Sequence, residues 1–154
     1  MIIRLDHVGI MARSWGEADE ILVGRLGFPV ELSRTPMPEG RLYEPQNTRI
    51  YFVKVGVGDT LIEILVPQDT KSGIARYLDK RGPGLHHLGY ACDDVPEEAR
   101  RLRENGLEQV PIGTGLNGVF FYAKSALGIL TELVIDRSQL PADELLHPPA
   151  HTSH

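Results

Sequence analysis

Gly82-Pro-Gly-Leu-His-His-Leu-Gly-Tyr-Ala-Cys-Asp-Asp94 reads as a turn, a short strand with two adjacent histidines, and the acidic start of a helix. It has an echo near the N-terminus in Arg4-Leu-Asp-His-Val-Gly-Ile10. Successive side chains of a strand point to opposite faces. Leu85, His87 and Gly89 therefore share one face, as do Leu5, His7 and Gly9 in the first copy. His7 and His87 hold equivalent places 80 positions apart. His86 matches Asp6, and strict alternation sends both to the opposite face.

Outward from this pair, the elements recur in order. Ile2 to Met11 predicts a first strand. Ser14 follows as an N-cap, with Glu17 placed to complete a capping box, and Ala18, Ile21, Leu22 and Leu26 keep helical spacing as far as Gly27. Phe28 to Leu32 reads as a second strand. Thr35 to Gln46, with Pro36, Pro38, Gly40 and Pro45, reads as a loop beside a pocket or an interface. Arg49 to Val55 and Thr60 to Val66 form a hairpin around Gly56-Val-Gly-Asp59. A connecting helix from about Ser72 to Lys80 aligns Ile74, Tyr77 and Leu78 and ends before Gly82-Pro83. The second module then runs through a strand from Leu85 to Cys92, a helix from Pro96 to Asn105 with Gly106 as stop, a strand near Leu107 to Pro111, and strands near Gly118 to Ala123 and Gly128 to Ile135. The expected organisation is a single domain over 1–136, with module one about 1–67, a connector about 68–83 and module two about 84–136. A flexible tail is expected over 137–154, where His147, His151 and His154 lack the spacing that preorganises a metal site.

With 154 residues, 42% apolar and 24% charged, the chain suits one globular domain rather than disorder. A net charge of −5 without a basic cluster disfavours nucleic acid. No apolar run approaches the roughly 20 residues of a membrane helix, so no membrane partner is expected. The lone Cys92 can form no internal disulfide, and with no leader ahead of the first strand a cytoplasmic protein is expected.

A second echo lies in Leu61-Ile-Glu-Ile-Leu65 and Leu130-Thr-Glu-Leu-Val134, where Glu63 and Glu132 share strand faces with apolar neighbours. A solvated face is the plain explanation for one such glutamate. Each module, however, supplies one histidine from its first strand and one glutamate from its last. Two neutral imidazoles and two carboxylates together neutralise a divalent cation, and the doubling points to a metal site.

Through these stretches the chain resembles the vicinal oxygen chelate (glyoxalase-like) superfamily over about residues 3 to 135. Within it, the chain is most like the methylmalonyl-CoA epimerases. The likeness rests on Leu5-Asp-His-Val-Gly-Ile10, Gly58-Asp-Thr-Leu-Ile-Glu-Ile-Leu-Val-Pro67, Ile74-Ala-Arg-Tyr-Leu-Asp-Lys-Arg-Gly-Pro-Gly-Leu-His-His87 and Gly128-Ile-Leu-Thr-Glu-Leu133. It implies an α+β fold in which two βαβββ modules form an open, cupped eight-stranded mixed sheet around a metal site. Carried over position by position, the family's ligands fall on His7, Glu63, His87 and Glu132. The chain departs from the epimerases at Tyr122-Ala123, where a His-Pro pair precedes the lysine that is Lys124 here, at Thr131, and at Glu44-Pro-Gln-Asn47.

The resemblance implies an epimerase or isomerase using a divalent ion, whether cobalt, manganese, nickel, zinc or iron, to move a carbon-bound proton through an enolate. Its substrate is a small molecule, with a CoA thioester as the leading candidate, and a homodimer is compatible with the pattern. Glu132 is the candidate general base, provided its bond to the metal loosens, and Glu44 is the candidate second acid. Lys124 and Arg49 are either contacts for carrier phosphates or solvated charges. Phe120, Phe121 and Tyr122 either line a pocket or pack the sheet. His86, on the opposite face, is expected not to be a ligand. The alternatives are a glyoxalase-type isomerase, a metalloenzyme acting on another small or aromatic molecule, and a metal-free drug-binding resistance protein.

Overall fold

Alternating branched residues make strand β1 (Ile2–Met11). The Ser14 hydroxyl then accepts the Glu17 amide at 3.0 Å, while Glu17 reaches back to the Arg13 amide at 3.2 Å, one residue earlier than a closed capping box requires. Helix α1 (Trp15–Ala18) is a single turn that continues as a π-helix over Asp19–Arg25. There follow β2 (Arg41–Tyr43), β3 (Thr48–Lys54), β4 (Leu61–Pro67), α2 (Gly73–Arg81), β5 (Gly84–Cys92), α3 (Val95–Glu104), β6 (Val119–Phe121), β7 (Thr131–Ile135) and α4 (Ala142–Leu146). Ser72 caps α2 by accepting the Ala75 amide, and Asp94 caps α3 by accepting that of Glu97. The structure, a computed structural model, describes residues 1–111 and 118–146.

The strands form one mixed sheet in the order β2-β3-β4-β1-β5-β7-β6, curled into a half-barrel. The β1–β4 and β5–β7 pairs are parallel and the others antiparallel. One face of the first half packs Tyr51, Val53, Ile64 and Val66 against Ala18 and Leu22 of the first helix. The other face carries Met11, Ile50, Phe52, Leu61 and Leu65, with Ile74 of α2 laid over them. In the second half, Ala99 and Leu102 of α3 pack on Cys92, Phe121 and Leu133. Phe52, Val53 and Phe121 are fully buried, each contributing roughly 1.5–3 kcal/mol of hydrophobic stabilisation.

The described residues hold seven strands rather than the eight expected. Phe28 to Leu32 meets the sheet only at a Val30–Val53 bridge, because Pro29 has no amide to donate and the chain turns away to Thr35, whose hydroxyl accepts the Phe52 amide at 3.0 Å. The next stretch of the β3 edge is taken by β2, inside the segment expected to be a loop. Leu107 to Pro111 lies where a strand is expected, against β6, but is held there by only two backbone bonds about Gln109, from the Val110 and Tyr122 amides.

The segment after Asp136 is also better anchored than its composition suggests. Asp136 accepts Arg4 at 2.7 Å, and Arg137 opens a 3₁₀ turn with its Nε 2.7 Å from Asp6 Oδ1. His147, His151 and His154 lie outside the described residues. No helix among those described is long and apolar enough to cross a membrane.

Candidate metal centre

Strand register places the four expected residues in two matched rows across the sheet. One row runs Phe52, Glu63, Gly9, His87, and the other Phe120, Glu132, Gly89, His7. Each imidazole thus lies over the glycine opposite it on the neighbouring strand. A Cβ on Gly9 would sit 2.2 Å from His87 Cε1, and one on Gly89 would sit 2.2 Å from His7 Cε1. These glycines are required by close approach, which any larger residue forbids.

The rows bring the side chains together in the interior. His7 and His87 are 2% exposed, Glu63 8% and Glu132 7%, which excludes the solvated-face explanation for the glutamates. His7 Nε2 and His87 Nε2 are 2.9 Å apart, and Glu132 Oε2 lies 2.9 Å from the first and 3.1 Å from the second. Glu63 stands slightly further out, with Oε1 3.5 Å from His87 Nε2 and Oε2 4.0 Å from His7 Nε2. Two donors at right angles on metal bonds of about 2.05 Å are about 2.9 Å apart. That spacing suits a divalent ion, and His7, Glu63 and His87 form a group that could hold one.

Asp6 and His86 depart from the expectation of strict alternation, and strand register explains why. Leu5 and His7 pair with Tyr90 and Gly89, leaving Asp6 as the extra residue of a bulge on β1; Gly9 and Ile10 pair with His87 and Leu85, leaving His86 as the extra residue of a bulge on β5. A bulge re-aims the side chain that it frees. Asp6 Oδ2 consequently meets His7 Nδ1 at 2.8 Å, and His86 Nδ1 meets His87 Nδ1 at 2.8 Å. Each imidazole is thus held from behind with Nε2 directed at the cluster. His86 is beside the site rather than turned from it, but it engages the far nitrogen of His87 and not the centre.

Charge is concentrated around Asp6, which accepts Arg137 at 2.7 Å and Arg4 at 3.2 Å and has Arg34 Nη1 at 3.8 Å. Burial opposes its ionisation, but His7 and these arginines outweigh it and hold the carboxyl below its ordinary value. Burial likewise opposes charge on His7, yet Glu63, Asp6 and Glu132 overcome it and push the imidazole up to about 10. Glu132 is buried too, and its bonds to His7 and His87 hold it far below the usual carboxylate range.

The cluster opens into a cleft. Ile50, Leu65, Ile74 and Phe120 form its apolar wall, and Arg41, Tyr43 and His86 add polar groups beside His87 and the two glutamates. Phe120 therefore lines the site, while Phe121 packs the opposite face and Tyr122 is exposed. Glu44 is exposed and does not border the cleft. Neither does Arg49, and Lys124 pairs with Glu108 at the surface at 2.8 Å. Sequence reasoning missed Arg41 and Tyr43. Their one signal is a three-residue alternation about exposed Leu42, too short to separate from loop.

Residues 6–122 match the family model described as the Glyoxalase/Bleomycin resistance protein/Dioxygenase superfamily. The chain is 29% identical over 136 residues to the mitochondrial methylmalonyl-CoA epimerase of Homo sapiens, covering 84% of this chain and 72% of that one. The crystal structure of methylmalonyl-CoA epimerase from Mycobacterium tuberculosis superposes with a TM-score of 0.71 at 32% identity, covering 87% of this chain and 88% of that one. A variant of the Streptomyces coelicolor methylmalonyl-CoA epimerase, in complex with 2-nitronate-propionyl-CoA, gives 0.73 at 25% identity over 90% of this chain and 97% of that one.

Proposed function

We propose that this chain, which belongs to the Glyoxalase/Bleomycin resistance protein/Dioxygenase superfamily, is a metal-dependent epimerase of a malonyl-type CoA thioester with its chemistry in the buried His-Glu cluster. His7, Glu63, His87 and Glu132 are the proposed ligands. The observation that carries this reading is the mutual spacing of His7 Nε2, His87 Nε2 and Glu132 Oε2, at 2.9, 2.9 and 3.1 Å. An intact donor set of this kind is unneeded by a metal-free drug-binding protein. The epimerase names of the relatives support the substrate class.

A divalent ion there would supply positive charge beside two neighbouring substrate oxygens, lowering the cost of an enolate. The chain's own residues supply the rest. Asp6 engages Nδ1 of His7 and His86 engages Nδ1 of His87, so each ring presents Nε2 to the centre, where a bound ion would take the place of the His7 proton. Glu132 is the proposed proton acceptor. Inversion needs a second carrier, for which the cleft offers Glu63, Tyr43 and His86. Burial and the Glu132 charge push the Tyr43 phenol up to about 12, so it remains a proton donor at neutral pH. The apolar wall of Ile50, Leu65 and Ile74 limits water around the acyl group.

Incubation of metal-loaded protein in heavy water with methylmalonyl-CoA, and separately with methylglyoxal and glutathione, tests the reading. Mass spectrometry should find deuterium at the malonyl α-carbon, above an enzyme-free control and abolished in Glu132→Gln. Elemental analysis should find near-stoichiometric metal, largely lost on changing any of the four ligands to Ala. Exchange in the second mixture alone would move the assignment to a glyoxalase-type isomerase. No exchange in either with metal bound would sink both.

A further inference from the structure

Two arginines on the concave side stack on one aromatic ring. The guanidinium carbon of Arg34 is 4.0 Å from the centroid of Phe52, and that of Arg41 is 5.9 Å from it. Arg34 leans towards Asp6, behind His7. Arg41 instead borders the cleft with Glu63 and Glu132. Among the described residues its guanidinium makes no hydrogen bond or ion pair, and its Nη1 is buried without a partner.

That arrangement is costly unless something completes it. A guanidinium stays charged when buried, and a buried donor without an acceptor is unfavourable. The nearby glutamates draw Arg41 inward without bonding to it, and Arg34 repels it across the Phe52 ring. The missing partner is an acceptor small enough for the cleft and matched to a planar fork of donors. A carboxylate is such a group.

We infer that Arg41 is the specificity-determining residue of the cleft, receiving the free carboxylate of the acyl group. This rests on the thioester reading above and names the residue that selects an acyl group with a free carboxylate over simple acyl thioesters and aromatic substrates. β2 is what brings Arg41 there, by pairing it with Ile50 at the cleft wall.

Calorimetric titration of methylmalonyl-CoA, propionyl-CoA and free malonate into wild type, Arg41→Gln and Arg41→Lys decides the matter. It should be run on metal-loaded and chelator-treated protein, since a bound ion can itself attract a carboxylate. Wild type should prefer methylmalonyl-CoA to propionyl-CoA in both forms. In Arg41→Gln that preference should fall about ten- to a hundredfold, and malonate binding likewise, with propionyl-CoA affinity within about twofold of wild type. Arg41→Lys should recover only part of the loss, because an ammonium lacks the fork. An unchanged preference in Arg41→Gln, or full recovery by Lys, would reduce Arg41 to a counter-charge for Glu63 and Glu132. Equal loss for both thioesters would also overturn the inference. Malonate binding through Arg41 without thioester binding would uphold the carboxylate subsite while removing the epimerase reading. Binding of none of the three by wild type would end both.

Discussion

Gly9 and Gly89 do as much for the centre as the proposed ligands they face. Each leaves an open patch of backbone over which the opposite imidazole lies, and the ring comes so close that even a methyl group must displace it. The energetic consequence is local overpacking, typically about 1–3 kcal/mol. The functional consequence is a shifted ligand, and a ligand displaced by about an ångström fails an otherwise intact site. Gly89→Ala should therefore lower thermal stability by about that amount and weaken divalent-metal binding by tenfold or more, measured by melting and by calorimetric titration. Wild-type affinity in a stably folded variant would show that the His7 ring has room to move and that the close fit is incidental.

At the scale of elements, paired bulges make the site from two ordinary strands. Without them, Asp6 and His86 face away and the two imidazoles lose the partners that fix their rotation. With them, adjacent residues of one strand supply a proposed ligand and the group that orients it. His86→Ala should keep near-stoichiometric metal at saturation but lower affinity by about ten- to a hundredfold, whereas His87→Ala should lose most metal outright. Competition with a chelator of known affinity separates the two. Unchanged affinity in His86→Ala would mean that its contact with His87 is dispensable, and loss as complete as in His87→Ala would make it a ligand. Helix α2 supports the same arrangement, since Tyr77 packs edge-on against His86 with ring centroids 5.4 Å apart.

Across the whole molecule, β1 and β5 are the seam between the halves, and the cluster draws one His and one Glu from each side of it. A bound ion therefore cross-links the modules. At free metal 100 times Kd the native state gains about 2.7 kcal/mol, which raises the melting temperature of a domain this size by about 5–10 °C. The effect depends on pH because metal and proton compete for His7. Without metal, its value is raised from 6.5 to about 10, so its contribution to stability is complete below 6.5 and is lost as pH rises through 10. The metal-free melting temperature should fall, and the increment from subsaturating metal should grow, between pH 6.5 and 9. Scanning calorimetry with and without a chelator checks this. An increment that shrinks over that range would show that no proton has to leave the centre for metal to enter.

Much of this architecture is written in short-range pattern. Period-two alternation around His7, Glu63, His87 and Glu132 is a local property, and its repetition in both halves made two matched modules, each offering one His and one Glu, legible before any pairing was known. The helix cap at Ser14 was readable for the same reason: its hydrogen bond closes within three residues. Register is different, since it is a relation between strands distant in sequence. Whether Asp6 and His86 fall into bulges depends on how β1 slides against β5, and nothing in either strand alone specifies the slip. Edge pairing is equally non-local, which is why β2 emerged from an irregular segment while Phe28 to Leu32 kept a single bridge. The tertiary fold alone decided that Arg41 stands in the cleft and that Arg137 reaches Asp6, because each is carried there by contacts that its own neighbours in sequence do not make.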